Sequence, residues 1–206
     1  MTKALLIIDV QKGMFTAGTP YEGEQVVETL AGVLARARGS GAPIFFVQRD
    51  GGAGSPLDPS TEGFAFVDAL RPAPGEDVTI KRYCSAFQDT DLLEKLKAAG
   101  VEEVVIGGMQ TEFCVDTAVR GAFERGLGVT LITDGHTTFD TPAIEAAQII
   151  AHHNHTLESG HFAKLAKGGD VVFSRWVVLF PWVAQRPKWR RAIIDRRRIP
   201  QLRRSI

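Results

Sequence analysis

Short apolar runs alternate with segments of helical periodicity along most of this chain, and that alternation restricts the fold more than any other feature. The first run, Ala4 to Val10, is nearly continuous, as in a strand covered on both faces of a parallel sheet, with Asp9 marking its end. A helix is predicted over Glu24 to Arg38, where Val26, Val27, Leu30, Val33, Leu34 and Ala37 share one side, and Gly39-Ser40-Gly41 stops it. A second strand over Pro43 to Val47 runs into Gln48-Arg49-Asp50, and a third over Val78 to Ile80 ends at Lys81. Asp89 to Ala99 reads as a helix, Val104 to Ile106 as a fourth strand ending at Gly107-Gly108, and Gly128 to Thr133 as a fifth. Thr141-Pro142 is the expected start of a helix through about Leu157. A short helix around His161 to Ala166 and a sixth strand at Val171 to Phe173 complete the pattern. The expectation is one α/β domain over residues 1–173, an open, mostly parallel six-stranded sheet with helices on both faces.

In such sheets ligands bind in the crevice outside the carboxyl ends of the strands, so the residues just past those ends are the site candidates: Asp9, Gln11, Arg49, Lys81, Cys114 and Asp134. Residues 51–77, rich in Gly, Pro, Ser and Asp, form a long connection of the kind that lines a site or makes a solvated excursion. Cys114 opens a helix whose face is Val115, Ala118, Val119, Ala122 and Phe123. A thiol at that place is exposed to the unpaired amides of the first helical turn, which favour the thiolate, and the same amides can receive charge developing on a carbonyl oxygen. Asp9 could take the thiol proton and return it to a leaving amine, with Lys81 holding both charges. Taken singly, Cys114 could equally be a buried hydrophobe, Asp9 a turn cap and Lys81 a solvated strand end.

At 206 residues the chain is long enough for one sizeable core. It has no run of about 18 apolar residues, so no membrane span is expected, and MTKALLIIDVQ lacks the features of a signal peptide. Two cysteines, Cys84 and Cys114, make no disulfide framework, and a reducing cytoplasm is the natural setting. The formal net charge of +0 conceals an uneven distribution: residues 174–206 hold ten Lys or Arg and one acid, Asp195, while the rest of the chain is acidic. That basic C-terminal extension, with an apolar patch from Trp176 to Val183, is read as docking on a partner subunit followed by a solvated end. Nucleic acid is not the expected partner, because the body is acidic and shows no recognition fold.

Three separated segments, LLIIDVQKGMF at 5–15, IKRYCSAF at 80–87 and GGMQTEFCVDTAVRGAFERG at 107–126, together resemble the isochorismatase-like cysteine hydrolases over about residues 3–173. The resemblance implies a Rossmann-like fold and an Asp-Lys-Cys triad, falling here on Asp9, Lys81 and Cys114. It implies a cis peptide between Met109 and Gln110, with the amides of Gln110 and Cys114 as oxyanion hole. It also implies a small-molecule substrate, no cofactor, and a homo-oligomer, dimer or larger. VQRDGGAGSPL at 47–57, HTTFDT at 136–141 and AQIIAHHN at 147–154 look like the branch that includes streptothricin hydrolase.

The nicotinamidase branch holds a metal with an Asp-x-His pair after strand two. This chain has Gln48, Arg49 and Asp50 there, so no metal is expected. His152, His153 and His155 lack a third ligand on one helix face, and His136 is expected to bond a turn backbone. Substrate contacts are expected from Gln11 and Arg49, the latter at a position that usually holds histidine in the resembled branch. Phe15, Phe87 and Phe113 flank the motifs and suit either the pocket wall or the core. The function so indicated is metal-independent hydrolysis of a small amide through a thioester. Hydrolysis of a vinyl ether without the thiol, and a silent scaffold with a partner-binding tail, are the alternatives.

Overall fold

The computed structural model describes residues 1–173; the readings made above for residues 174–206 lie outside the described residues. Six strands form one sheet: β1 (Lys3–Ile8), β2 (Ile44–Arg49), β3 (Asp77–Lys81), β4 (Glu103–Met109), β5 (Gly128–Thr137) and β6 (Lys164–Ala166). Their order across the sheet is β3-β2-β1-β4-β5-β6, and every pairing is parallel. The chain therefore leaves β1 towards one edge and returns to β4 on the other side, which creates a crevice between the carboxyl ends of β1 and β4.

The period of two in β1 divides the core. Ala4, Leu6 and Ile8 face one hydrophobic cluster, while Leu5 and Ile7 face the other. On the first face lie α3 (Leu92–Ala98), α4 (Asp116–Glu124) and α5 (Ala146–Ser159), contributing Leu92, Leu96, Ala118, Val119, Ala122 and Leu157. The second face is covered by the helix Gly23–Ser40, numbered α2 because a single turn of helix, α1 (Lys12–Thr16), precedes it. From α2, Val26, Leu30, Val33, Leu34 and Ala37 meet Phe46, Val105 and Ile132 of the sheet. Gly41, in the left-handed region at φ 73°, caps α2 by donating its amide to Arg38.

Three expected elements are corrected. The sixth strand is Lys164–Ala166, where a helix was expected, pairing Thr130, Leu131 and Ile132 of β5. Val171 to Phe173 has no ladder; Val171 and Phe173 are buried against the α2 side of the core, and this burial accounts for their apolar character. The last helix starts at Ala146, not at Thr141-Pro142, because the Thr141 hydroxyl accepts the amides of Ala143 (3.3 Å) and Ile144 (3.0 Å) and closes a separate turn. Asp140 then accepts the Ala146 amide at 2.8 Å.

The approach of β4 to β1 depends on Gly108. Its φ is 138°, and a Cβ there would lie 2.0 Å from the Ile8 carbonyl oxygen. Gly108→Ala is expected to lower stability by about 3 kcal/mol or more, through combined backbone strain and overlap. Urea denaturation checks this; an unchanged midpoint would contradict the close approach.

Candidate active site

The residues past the carboxyl ends of β1, β3 and β4 meet at one place. Asp9, at φ 53°, follows β1 and turns its carboxylate inward; it is 2% exposed. Lys81, the last residue of β3, is equally buried, and its Nζ lies 2.8 Å from Asp9 Oδ2. The same ammonium donates to the Cys84 carbonyl at 2.9 Å. Neither Asp9 oxygen has an aligned hydrogen-bond partner, so the contact with Lys81 is chiefly one of charge. Cys114 comes from the far side of the crevice, on the turn after β4.

That turn differs from the simple helix start expected. Thr111–Val115 is one turn of π-helix running directly into α4, and Cys114 lies within it. The Gln110 carbonyl accepts the amides of Phe113 (3.2 Å) and Val115 (3.1 Å), passing over that of Cys114 between them. The peptide between Met109 and Gln110 is cis.

The electrostatics correct one expectation. Burial, and then the Asp9 carboxylate, push the Cys114 thiol up to about 12, outweighing the lowering effect of Lys81. In the resting molecule the sulfur is therefore a thiol, and it needs a base. Asp9 is suited to that role: burial raises its pKa above the ordinary carboxylate value, opposed by Lys81 and, more weakly, by the neighbouring Cys114 thiol.

A cavity of about 310 Å³ opens beside these groups, at the small end of the range for ligand sites. Asp9, Arg49, Cys84, Gln110 and Cys114 supply its polar wall, and Met14, Leu57, Met109 and Phe113 its apolar one. Phe113 stands at the rim, about half exposed. The Arg49 guanidinium reaches inward, with Nη1 3.7 Å from Cys84 Sγ and 3.9 Å from Cys114 Sγ.

Three expected substrate contacts are placed elsewhere. Phe15 packs beside α2, where its ring meets Gly23, and Phe87 is buried against Gly121 under the Arg125 guanidinium. Gln11 is fully buried and serves the backbone. Its Oε1 accepts the Arg49 amide (2.8 Å) while its Nε2 donates to the carbonyls of Arg49 (3.1 Å) and Phe64 (2.8 Å). Among the lining residues, sequence reasoning did not single out Met14, Leu57 or Cys84 for the pocket. The long connection 51–77, which contains Leu57, was one available signal; Met14 and Cys84 lie within the segments 5–15 and 80–87 that carry the family resemblance.

Asp134 faces away, accepting the Gly168 amide at 2.6 Å. His136 is a strand residue opposite Gly108, not a turn residue. Its Nε2 faces Asn154 Oδ1 at 3.0 Å, an oxygen that can only accept, so Nε2 carries the hydrogen and Nδ1 accepts from the Thr111 hydroxyl at 2.9 Å. Burial lowers its pKa from 6.5 to about 4. As pH falls through that window the unfolded chain binds a proton that the folded chain refuses. The stabilisation present above pH 6.5 is therefore lost towards pH 4, by up to roughly 3 kcal/mol. Urea titrations at pH 7 and pH 4.5 should show a smaller acid loss for His136→Gln than for the parent chain; equal losses would exclude His136 as the cause.

Among the described residues no three His, Cys, Asp or Glu side chains gather as a metal site requires, and no helix is long and apolar enough to cross a membrane. Arg49 places a cation in the wall where a ligating histidine or carboxylate would be needed.

A parallel sheet of order 3-2-1-4-5-6 with a cysteine, a carboxylate and an ammonium gathered at its switch point is an α/β fold with reactive groups in its ligand crevice. The chain belongs to the isochorismatase family, whose Isochorismatase domain matches residues 3–158, and it is a hydrolase. It is 35% identical over 183 residues to streptothricin hydrolase of Streptomyces noursei, covering 88% of this chain and 65% of that protein. It is 32% identical over 155 residues to maleamate amidohydrolase of Pseudomonas putida, covering 64% of this chain and 70% of that protein. The crystal structure of an isochorismatase from Pseudomonas putida KT2440 superposes with a TM-score of 0.78 at 31% identity, over 82% of this chain and 90% of that one.

Proposed function

We propose that the chain hydrolyses the C–N bond of a small amide through a thioester on Cys114. The observation that carries this reading is the meeting of a thiol, a buried carboxylate and a buried ammonium beside a cavity of small-molecule size. The amidohydrolase among the relatives supports the bond type.

Asp9 takes the thiol proton as Cys114 Sγ attacks the carbonyl carbon, forming the C–S bond. Negative charge moves to the carbonyl oxygen, where the amides of Gln110 and Cys114 receive it. Collapse breaks the C–N bond, and Asp9 gives its proton to the departing nitrogen. Water then enters, Asp9 removes its proton, and the hydroxide adds to the thioester. The C–S bond breaks and the sulfur recovers its proton from Asp9. Lys81 keeps Asp9 anionic at the start of each half and limits the cost of holding that charge away from water.

The test is a panel of small primary amides, quenched in acid during turnover. A mass increment equal to the acyl group is expected on the peptide containing Cys114. Turnover without any such increment, under conditions where the second half is slow, would remove the covalent route.

A further inference from the structure

We infer that Arg49 is the specificity residue of this site, and that it selects amides carrying a carboxylate close to the scissile carbonyl. The inference rests on the hydrolase reading above and adds the chemical class of the substrate.

Among the described residues only two charged side chains line the cavity, Asp9 and Arg49. Asp9 is already neutralised by Lys81 at 2.8 Å. Among the described residues no carboxylate lies within ion-pair distance of Arg49, and the partners of its Nη1 are the sulfurs of Cys84 and Cys114, at 3.7 and 3.9 Å. A thiol is a weak acceptor, whereas a guanidinium offers five donors in a planar fork matched to a carboxylate. The cavity thus holds one uncompensated positive charge, half-buried, whose donors lack strong acceptors. Desolvating that cation against an apolar or cationic ligand costs binding energy; an anion offsets it.

The geometry also limits where the anion sits. The guanidinium nitrogen is 3.9 Å from the nucleophilic sulfur. An attacked carbon stands about 3 to 3.5 Å from that sulfur, and a guanidinium–carboxylate bond is about 2.8 Å long. A carboxylate gripped by Arg49 therefore belongs to the same short molecule as the scissile carbonyl, about one to three bonds away. Arg49 is held for this task. The Gln11 side-chain amide bonds both its N–H and its carbonyl, and Arg49 pairs with Lys81 across the β2–β3 ladder.

The experiment compares the monoamides of oxalic, malonic and succinic acids with the corresponding diamides, which differ in charge and little in size. In the parent chain at least one monoamide is expected to exceed its diamide about tenfold or more in kcat/KM. Arg49→Gln should remove that preference, acting mainly through KM, and Arg49→Lys should restore part of it. An equal loss on monoamide and diamide would mean that Arg49 serves the sulfur and not the substrate, and would overturn the inference. So would a parent chain that favours the diamides.

Binding of the same compounds to Cys114→Ala, by calorimetry, separates this inference from the hydrolase reading. Tighter binding of a monoamide than of its diamide, abolished by adding Arg49→Gln, upholds the role of Arg49 even if no amide is turned over. No difference in binding overturns it even if amides are hydrolysed. Circular dichroism of each variant confirms that the fold survives.

Discussion

Replacing Cys114 by Ala is expected to lower kcat by about 10⁴-fold or more while shifting the melting temperature by only about 2 to 4 °C. The kinetic loss follows from removing the atom that forms the new bond, which no neighbouring group can supply. The small thermal effect follows from the packing. One buried sulfur is lost from a site that borders a cavity, a change worth about 1 kcal/mol, and in a domain of this size that corresponds to a few degrees. Cys114→Ser separates two contributions of the sulfur. Its hydroxyl keeps a donor for Asp9, so it should hold the stability of the parent chain, yet turnover should remain depressed. Substantial hydrolysis by Cys114→Ala would point to a reaction that does not pass through the thiol, such as hydrolysis of a vinyl ether.

Lys81→Met is expected to cost about 3 kcal/mol of stability at pH 7, because the buried Asp9 carboxyl loses its counter-charge and must either stay ionised and unpaired or be protonated at a pH where the unfolded chain ionises it freely. Burial already raises the Asp9 pKa against the opposing effect of Lys81. Without the ammonium it rises further, and Asp9 loses the charge that makes it a base, so activity falls as well. The sign with pH is fixed. A carboxyl whose folded pKa lies above its unfolded value loses stability as pH rises from the unfolded value towards the folded one, because the unfolded chain releases a proton that the folded chain keeps; the deficit of Lys81→Met therefore grows as pH rises over that range and shrinks in acid. Adding Asp9→Asn removes the second charge, and asparagine tolerates the left-handed backbone at φ 53°. The double variant should recover most of the lost stability and none of the activity, as replaced buried ion pairs do. Thermal unfolding at pH 5 and pH 8 checks both statements. A double variant no more stable than Lys81→Met would mean that the pair contributes through packing and not through charge.

Much of the sheet could be read from the sequence because β1, β2 and the body of β4 are nearly continuous apolar runs followed by a charged or polar residue. The same punctuation drew attention to Asp9, Lys81 and Cys114, whose side chains meet at the crevice. β6 escaped because three residues, Lys164, Leu165 and Ala166, carry no period, and strand and helix are indistinguishable at that length. The start of the last helix was misplaced because a Thr-Pro pair closes a turn as readily as it opens a helix. The state of the thiol could not be read either. A helix terminus lowers a cysteine pKa, burial beside a carboxylate raises it, and only coordinates show that the second prevails here. Phe15 and Phe87 failed as pocket residues for a related reason: an aromatic beside a motif is adjacent in sequence, and which way its ring turns is decided by the helices packed around it.

The fully buried amide of Gln11 fastens the main chain at position 49 from both sides without touching its side chain. Whatever residue occurs there, the strand end beneath it is kept in register by a neighbour that is blind to its identity. A lineage can thus exchange the group at this one position, and with it the charge of the molecules admitted, while the machinery for bond cleavage stays where it was. Changes of diet, in such an enzyme, need not begin with damage to the scaffold.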